Sequence, residues 1–192
     1  MTAVRPQAAA KVRRRSGRRL GQLASDPSST EEIELWRIGV DTPDCEAHDL
    51  NGRGAEKSGG RWNRPGTPLV YCSVTRALAC LETLAHLAKH PLPLNRYLVR
   101  IIVPAGAWAA AVELERTTLV GWDAEPAAKA SLDWGPAWVT GRASLLARVP
   151  SVVVPEEFNV LINPAHADIG TVKAQKIRKW LYDSRLAPKA GA

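Results

Sequence analysis

"PLVYCSVTRALACLETLAHLAKHPLPLNRYLVRIIVP", Pro68 to Pro104, carries three elements in succession, and their kind and order decide the fold class. "PLVYCS" is a short run of strand-forming residues. Ser73 or Thr75 can cap the helix that follows it. That helix is expected over residues 75–90, with Leu78, Leu81, Leu84, Ala85 and Ala88 forming an apolar stripe at three- and four-residue spacing. Pro91 and Pro93 end it, because proline cannot continue the hydrogen-bond ladder. "RYLVRIIVP" then reads as a strand, with Tyr97, Val99, Ile101 and Val103 apolar at every odd position.

Toward the N-terminus, "SGGRWNRPGT" (Ser58–Thr67) sets Arg61 and Trp62 between a glycine pair and a proline turn, a composition that suits a binding loop. "DTPDCEAHDLNGRGAEKSGG" before it is polar and predicts a long loop. "EIELWRIG" (Glu32–Gly39) alternates and predicts the first strand. Toward the C-terminus, residues 105–140 hold four tryptophans (Trp108, Trp122, Trp134, Trp138) between turn residues and show no clear period. "RASLLARVPSVVVPEEFNVLINPAH" predicts a helix end, a buried strand around Val152–Val154 and a second strand over Phe158–Ile162. "KIRKWLYDSRL" fits a strand or a helix. With no repeat and no strict strand–helix alternation, the pattern predicts a mixed α+β domain rather than a doubly wound sheet.

The chain has 192 residues, with 45% hydrophobic and 23% charged content, enough for one globular domain. Its formal charge of +7 is concentrated at one end. Residues 1–30 contain Arg5, Lys11, Arg13, Arg14, Arg15, Arg18 and Arg19 against Asp26, so residues 31–192 are almost neutral. The first thirty residues are therefore expected to be a disordered basic arm, and residues 31–192 the folded unit. No stretch is long and apolar enough for a membrane span. Cys45, Cys72 and Cys80 match no metal or redox spacing and are expected to be reduced, mostly buried thiols of a cytoplasmic protein.

Familiar phosphate-loop patterns fail. Gly52 and Gly54 open a dinucleotide fingerprint that Lys57 breaks, and Gly60 stands where a Walker lysine is required. His86 and His90 have zinc-compatible spacing but no acidic neighbour, so no metal is expected. Glu82 lies at the edge of the helical stripe, one turn before His86, where spacing alone favours a solvated pair. Arg37 sits within a strand, and an arginine there is by default an edge or surface residue; facing inward it would need an anion. Arg61 makes the same demand from its loop. Two arginines, Tyr71 and a carboxylate are compatible with a pocket for a phosphorylated ligand carrying a planar ring.

Several blocks in order, "GGRWNRPGTPLVYCS", "RALACLETLAHL", "VPSVVVPEEFNVLINPAH" and "YDSRL", resemble the RES-domain family over about residues 35–186. The resemblance implies a toxin of a toxin–antitoxin pair, blocked by a cognate Xre-like helix-turn-helix antitoxin that covers the active site. No membrane partner is implied, and nucleic acid only through that antitoxin. It also implies a compact α+β core similar to ADP-ribosyltransferases of the diphtheria-toxin type, with NAD as substrate. The implied reaction is NAD destruction by hydrolysis or phosphorolysis; the alternative is ADP-ribosylation of a host metabolic enzyme. The family's name-giving Arg, Glu and Ser fall on Arg37 or Arg61, on Glu82 and on Ser151, and Tyr71 and Asn163 occupy further motif positions. The implied roles are phosphate or ribose binding for the arginines, stacking on nicotinamide for Tyr71, and stabilisation of a cationic ribose for Glu82. Ser151 would hold Glu82 or the ribose, and Asn163 would be a scaffold or amide-binding residue.

Overall fold

The computed structural model describes residues 32–87 and 92–186. The expected basic arm at residues 1–30 and the helix end at Pro91 lie outside the described residues. The elements are β1 (Glu32–Val40), α1 (Arg53–Ser58), β2 (Val70–Ser73), α2 (Arg76–Leu87), β3 (Arg96–Pro104), α3 (Ala105–Ala109), β4 (Val112–Glu113), α4 (Lys129–Gly141), β5 (Leu146–Pro150), β6 (Phe158–Ile162) and β7 (Lys173–Trp180). The seven strands form one sheet in the order β4-β5-β6-β2-β1-β3-β7. Every pairing is antiparallel except β4 with β5, so this is the mixed α+β arrangement the sequence predicts.

Both faces of the sheet are covered, so adjacent residues are buried together, Leu98 beside Val99 in β3 and Leu146 beside Ala147 in β5. On one face, Leu35, Val70, Cys72, Val99, Ile101, Val103, Leu146, Val160 and Ile162 form a core with Ala47 from the β1–α1 loop. On the other, Trp36, Ile38 and Leu98 receive Ala79 of α2. Beside them, Ala147, Val149 and Leu161 pack under Trp62, Trp122 and Trp138. A fully buried leucine or valine in such cores contributes about 1.5–3 kcal/mol over an exposed one.

The later part of the segment with no readable period, from Leu114 to Val139, is thus the cover of this second face, while Trp108 packs on the first. Trp62 stands edge-on to Trp134 with ring centroids 5.6 Å apart, and Trp134 stacks near-parallel on Trp138 at 6.1 Å. Gly135 makes the contact possible: a Cβ there would lie 1.6 Å from the Trp62 carbonyl oxygen.

Three expectations need correction. The strand expected at Val152–Val154 lies earlier, at β5, and residues 152–154 are bends. Ser151 Oγ accepts from the backbone N–H of Val153 (3.1 Å) and Val154 (3.0 Å), a local turn that takes those donors out of any ladder. The α2 stripe is rotated, since Leu78 and Ala79 are its buried residues while Leu81 is 42% exposed. The long loop after β1 is interrupted by α1. Of the two candidate caps for α2, Thr75 serves, accepting from Leu78 N at 3.0 Å.

Candidate functional site

The register fixes which side chains share a face. Trp36 is opposite Ser73, Ser73 opposite Asn159, and Asn159 opposite Val149, so these four form a row across β1, β2, β6 and β5. Tyr71 lies two residues from Ser73 on β2, on the same face, opposite Leu161. Helix α2, entered directly from β2, packs over this face through Ala79. It brings Glu82 down onto the row.

Glu82 is only partly exposed, and one of its oxygens is fixed. Oε1 accepts from Ser151 Oγ at 2.7 Å and from Asn159 Nδ2 at 2.5 Å. Asn159 Oδ1 in turn accepts from the buried Ser73 hydroxyl at 2.7 Å. Ser151 is fully buried at the end of β5, anchored by the two backbone donors described above. Among the described residues, no hydrogen bond reaches Oε2. Spacing alone favours a solvated Glu82–His86 pair; instead His86 Nδ1 lies 2.9 Å from the Glu82 backbone carbonyl, and the carboxylate turns to the sheet. A negatively charged oxygen on a rigid platform, with its neighbour immobilised, suits stabilisation of a positive charge that develops beside it.

Arg61 stands further along the same face. Its Nη1 donates to the carbonyls of Trp122 (3.1 Å) and Ala124 (2.7 Å), and its Nη2 to Glu125 Oε2 (2.8 Å). The guanidinium therefore clamps the segment between β4 and α4. With five N–H groups, it keeps two uncommitted by these bonds, one of them on Nε.

Tyr71 donates to Asn63 Oδ1 at 2.7 Å and accepts from Trp62 N at 3.0 Å. Burial pushes its hydroxyl above the ordinary tyrosine value, against the opposing pull of the Trp62 N–H and the Arg61 charge. A Cβ on Gly60 would meet this hydroxyl at 2.7 Å, so the glycine leaves room for Tyr71 to pin the loop. Trp62, with 2% exposure, is the anchor beneath.

Arg37 is elsewhere. It is opposite Val99, alternates with Trp36, and so emerges on the face that carries Leu35 and Cys72, where Nη1 donates to the Asp49 carbonyl at 3.2 Å. Its strand β1 lies between β2 and β3, so it is not the edge residue expected by default. The structure brings Glu82 and Ser151 into contact, sets Arg61 and Tyr71 on the same face, and leaves Arg37 behind the sheet.

Asn163 is fully buried and both ends of its amide are used: Nδ2 donates to the Val139 carbonyl and Oδ1 accepts from Ala165 N, each at 2.9 Å. It ties α4 to the end of β6. Asn159 and Ser73 are the site residues that sequence reasoning missed. The signal available was a polar residue at a strand position whose neighbours, Val160, Leu161 and Ile162, are all core.

A cavity of about 410 Å³ opens at the β4–β5 edge, lined by Glu113, Arg116, Arg148, Glu157 and Phe158 among others. Among the described residues, no group of three or more His, Cys, Asp or Glu is placed to hold a metal, and no helix is long and apolar enough to cross a membrane.

Three relatives share the chain's sequence over most of its length. A Sphingobium sp. protein named "Prs ADP-ribosylating toxin" is 53% identical over 157 residues, 81% of this chain and 98% of the relative. A Pseudomonas putida protein named "Toxin Res" is 33% identical over 154 residues, 79% of this chain and 98% of its own length. A Yersinia enterocolitica protein of the same name is 32% identical over 141 residues, 73% and 91% respectively. The model of the RES domain matches residues 34–184, from the third residue of β1 to the turn beyond β7. Strands β2 to β7, most of β1, the Trp62 loop, Glu82 and the Ser151 turn lie inside that span, and the chain belongs to the RES-domain family.

Proposed function

We propose that this chain is a toxin that takes NAD as substrate and breaks its nicotinamide–ribose bond. The observation that carries this reading is the Glu82 carboxylate, with Oε1 held by Ser151 and Asn159 and Oε2 left for a ligand. Nicotinamide is a good leaving group because its ring is a positively charged pyridinium in NAD and departs from the ribose neutral, taking the bonding electron pair. The protein has little proton transfer to supply. What it must stabilise is the cationic ribose, and Oε2 of Glu82 is the group that does so. Ser151 acts through Glu82. Arg61 offers its uncommitted N–H groups to the pyrophosphate from the same face, and Tyr71, with its hydroxyl committed to the loop, presents its ring. On this assignment Arg61, rather than Arg37, is the family's arginine at the site, and Arg37 holds the β1–α1 loop through Asp49.

The fate of the ADP-ribosyl group depends on the acceptor: water or phosphate destroys NAD, and a side chain of another protein becomes modified. The name of the 53% identical relative, an ADP-ribosylating toxin, favours a protein acceptor. The toxin names favour a cognate antitoxin, of the Xre-like kind that the sequence resemblance implies, covering the cleft in the inactive complex.

The test is incubation of purified protein with NAD carrying label in the adenylate half, with and without phosphate and with and without bacterial lysate. Release of nicotinamide supports the reading, and the labelled product (free ADP-ribose, a phosphorylated ADP-ribose or a labelled protein band) identifies the acceptor. NAD recovered intact under all conditions refutes it.

A further inference from the structure

We infer that Asn159 is a positioning residue for Glu82, with Ser73 fixing which way its amide points. The inference rests on the proposed role of Glu82. It begins with placement. Asn159 lies within β6, paired on one side with Ser73 and on the other with Val149, so two ladders hold its backbone. Side chains on such a platform are located more exactly than side chains on loops.

The polarity of the chain of bonds follows from its ends. A carboxylate anion only accepts, so the amide must turn Nδ2 toward Glu82. That leaves Oδ1 toward Ser73, which then donates its hydroxyl proton. Ser73 is buried on the face that α2 covers, so water cannot replace its hydroxyl as the Asn159 donor without that cover lifting. Ser73, Asn159 and Glu82 form a directed relay in which every donor faces an acceptor, and it is complete only while residue 82 accepts. Ser151 reaches the same Oε1 from the other direction. Two donors on one oxygen define the plane of the carboxylate and so the direction of Oε2. Ser151 alone fixes a distance; Asn159 fixes the rotation.

A spacer asparagine and a positioning asparagine predict different results. Asn159→Ala is expected to lower kcat for nicotinamide release about tenfold, with KM for NAD within about twofold, because one hydrogen bond to a charged group is lost and substrate contacts are kept. Asn159→Asp keeps the shape and the acceptor for Ser73 but sets a second carboxylate against Oε1. It is expected to lower both kcat and the melting temperature. Adding Glu82→Gln to Asn159→Asp restores an amide facing a carboxylate with donor and acceptor exchanged, while Ser151 loses its acceptor at that position, so the melting temperature is expected to recover in part although activity does not.

Additive losses of melting temperature in the double variant, or a raised KM with unchanged kcat in Asn159→Ala, would overturn the inference. Wild-type protein that releases no nicotinamide refutes the NAD reading instead. The melting cycle then still decides whether Asn159 holds Glu82.

Discussion

Replacing Glu82 by glutamine separates charge from shape at the site. The glutamine carbonyl oxygen can accept from Ser151 Oγ and Asn159 Nδ2 where the carboxylate oxygen now does, and only Oε2 becomes an amide nitrogen. The two bonds change from charged to neutral type, a loss of at most about 2 kcal/mol in stability, offset by the smaller cost of burying a neutral group. For a chain of this length that lowers the melting temperature by no more than about 4–8 °C. The catalytic loss is larger. A carboxylate about 4 Å from a cationic ribose, at an effective dielectric near 20, is worth about 4 kcal/mol. Removing it predicts a fall of about 10³-fold in turnover. The assay is chromatographic quantification of nicotinamide released from NAD by wild-type and Glu82→Gln protein at matched folded concentration. A folded variant within tenfold of wild type would refute the electrostatic role.

Other consequences follow from the same geometry. Gly135→Ala puts a methyl group 1.6 Å from the Trp62 carbonyl, so it is expected to cost at least about 3 kcal/mol, at the upper end of overpacking effects, and to lower the melting temperature accordingly. Unchanged thermal unfolding would show that α4 does not press on the Trp62 loop. Arg61→Lys replaces the two nitrogens that reach the carbonyls and Glu125 separately by a single one, so amide hydrogen exchange over residues 122–125 should accelerate; unaltered exchange would mean the clamp carries no stability. Asp41 is held below the usual aspartate range by its hydrogen bond to Lys176, with help from the Ala47 N–H and the Lys176 charge. A depressed carboxyl stabilises the fold above its unfolded value near 4 and loses that contribution as pH falls through the lower folded value. The stability difference between wild type and Asp41→Asn, followed by urea unfolding, should therefore shrink under acid; a constant difference would contradict the linkage. Burial pushes the Cys72 thiol up to about 12, with Arg37 pulling the other way. Peptide mapping after alkylation of native protein should find Cys72 the slowest of the three cysteines, and equal labelling with Cys45 would contradict its burial.

The strand–helix–strand run around β2, α2 and β3 is legible in the sequence because each element has its own period and punctuation. The strand near Val152–Val154 is misplaced by sequence reasoning because "VPSVVVP" has β-branched composition, while the buried Ser151 hydroxyl captures two of its amides locally. Residues 105–140 are opaque for a different reason. Trp122, Trp134 and Trp138 bury around Trp62, and Trp108 packs against Phe158, partners distant in sequence, so no local period records the packing. Among the site residues, Glu82 and Ser151 come from family resemblance. Their contact spans 69 positions in the chain, which no spacing rule reaches. Arg37 is a candidate because a strand arginine asks for an anion. Strand alternation relative to Trp36, rather than residue type, puts it behind the sheet.

The central claim is that the reactive ribose of NAD meets the Oε2 position of residue 82 on the α2 face of the sheet. A crystal structure of the Glu82→Gln protein with intact NAD tests it most directly. The account predicts the anomeric carbon of the nicotinamide ribose in van der Waals contact with the side-chain amide that the substitution places at position 82, and the pyrophosphate against Arg61. A dinucleotide bound on the opposite face, with its phosphates at Arg37 and its ribose remote from residue 82, would contradict it.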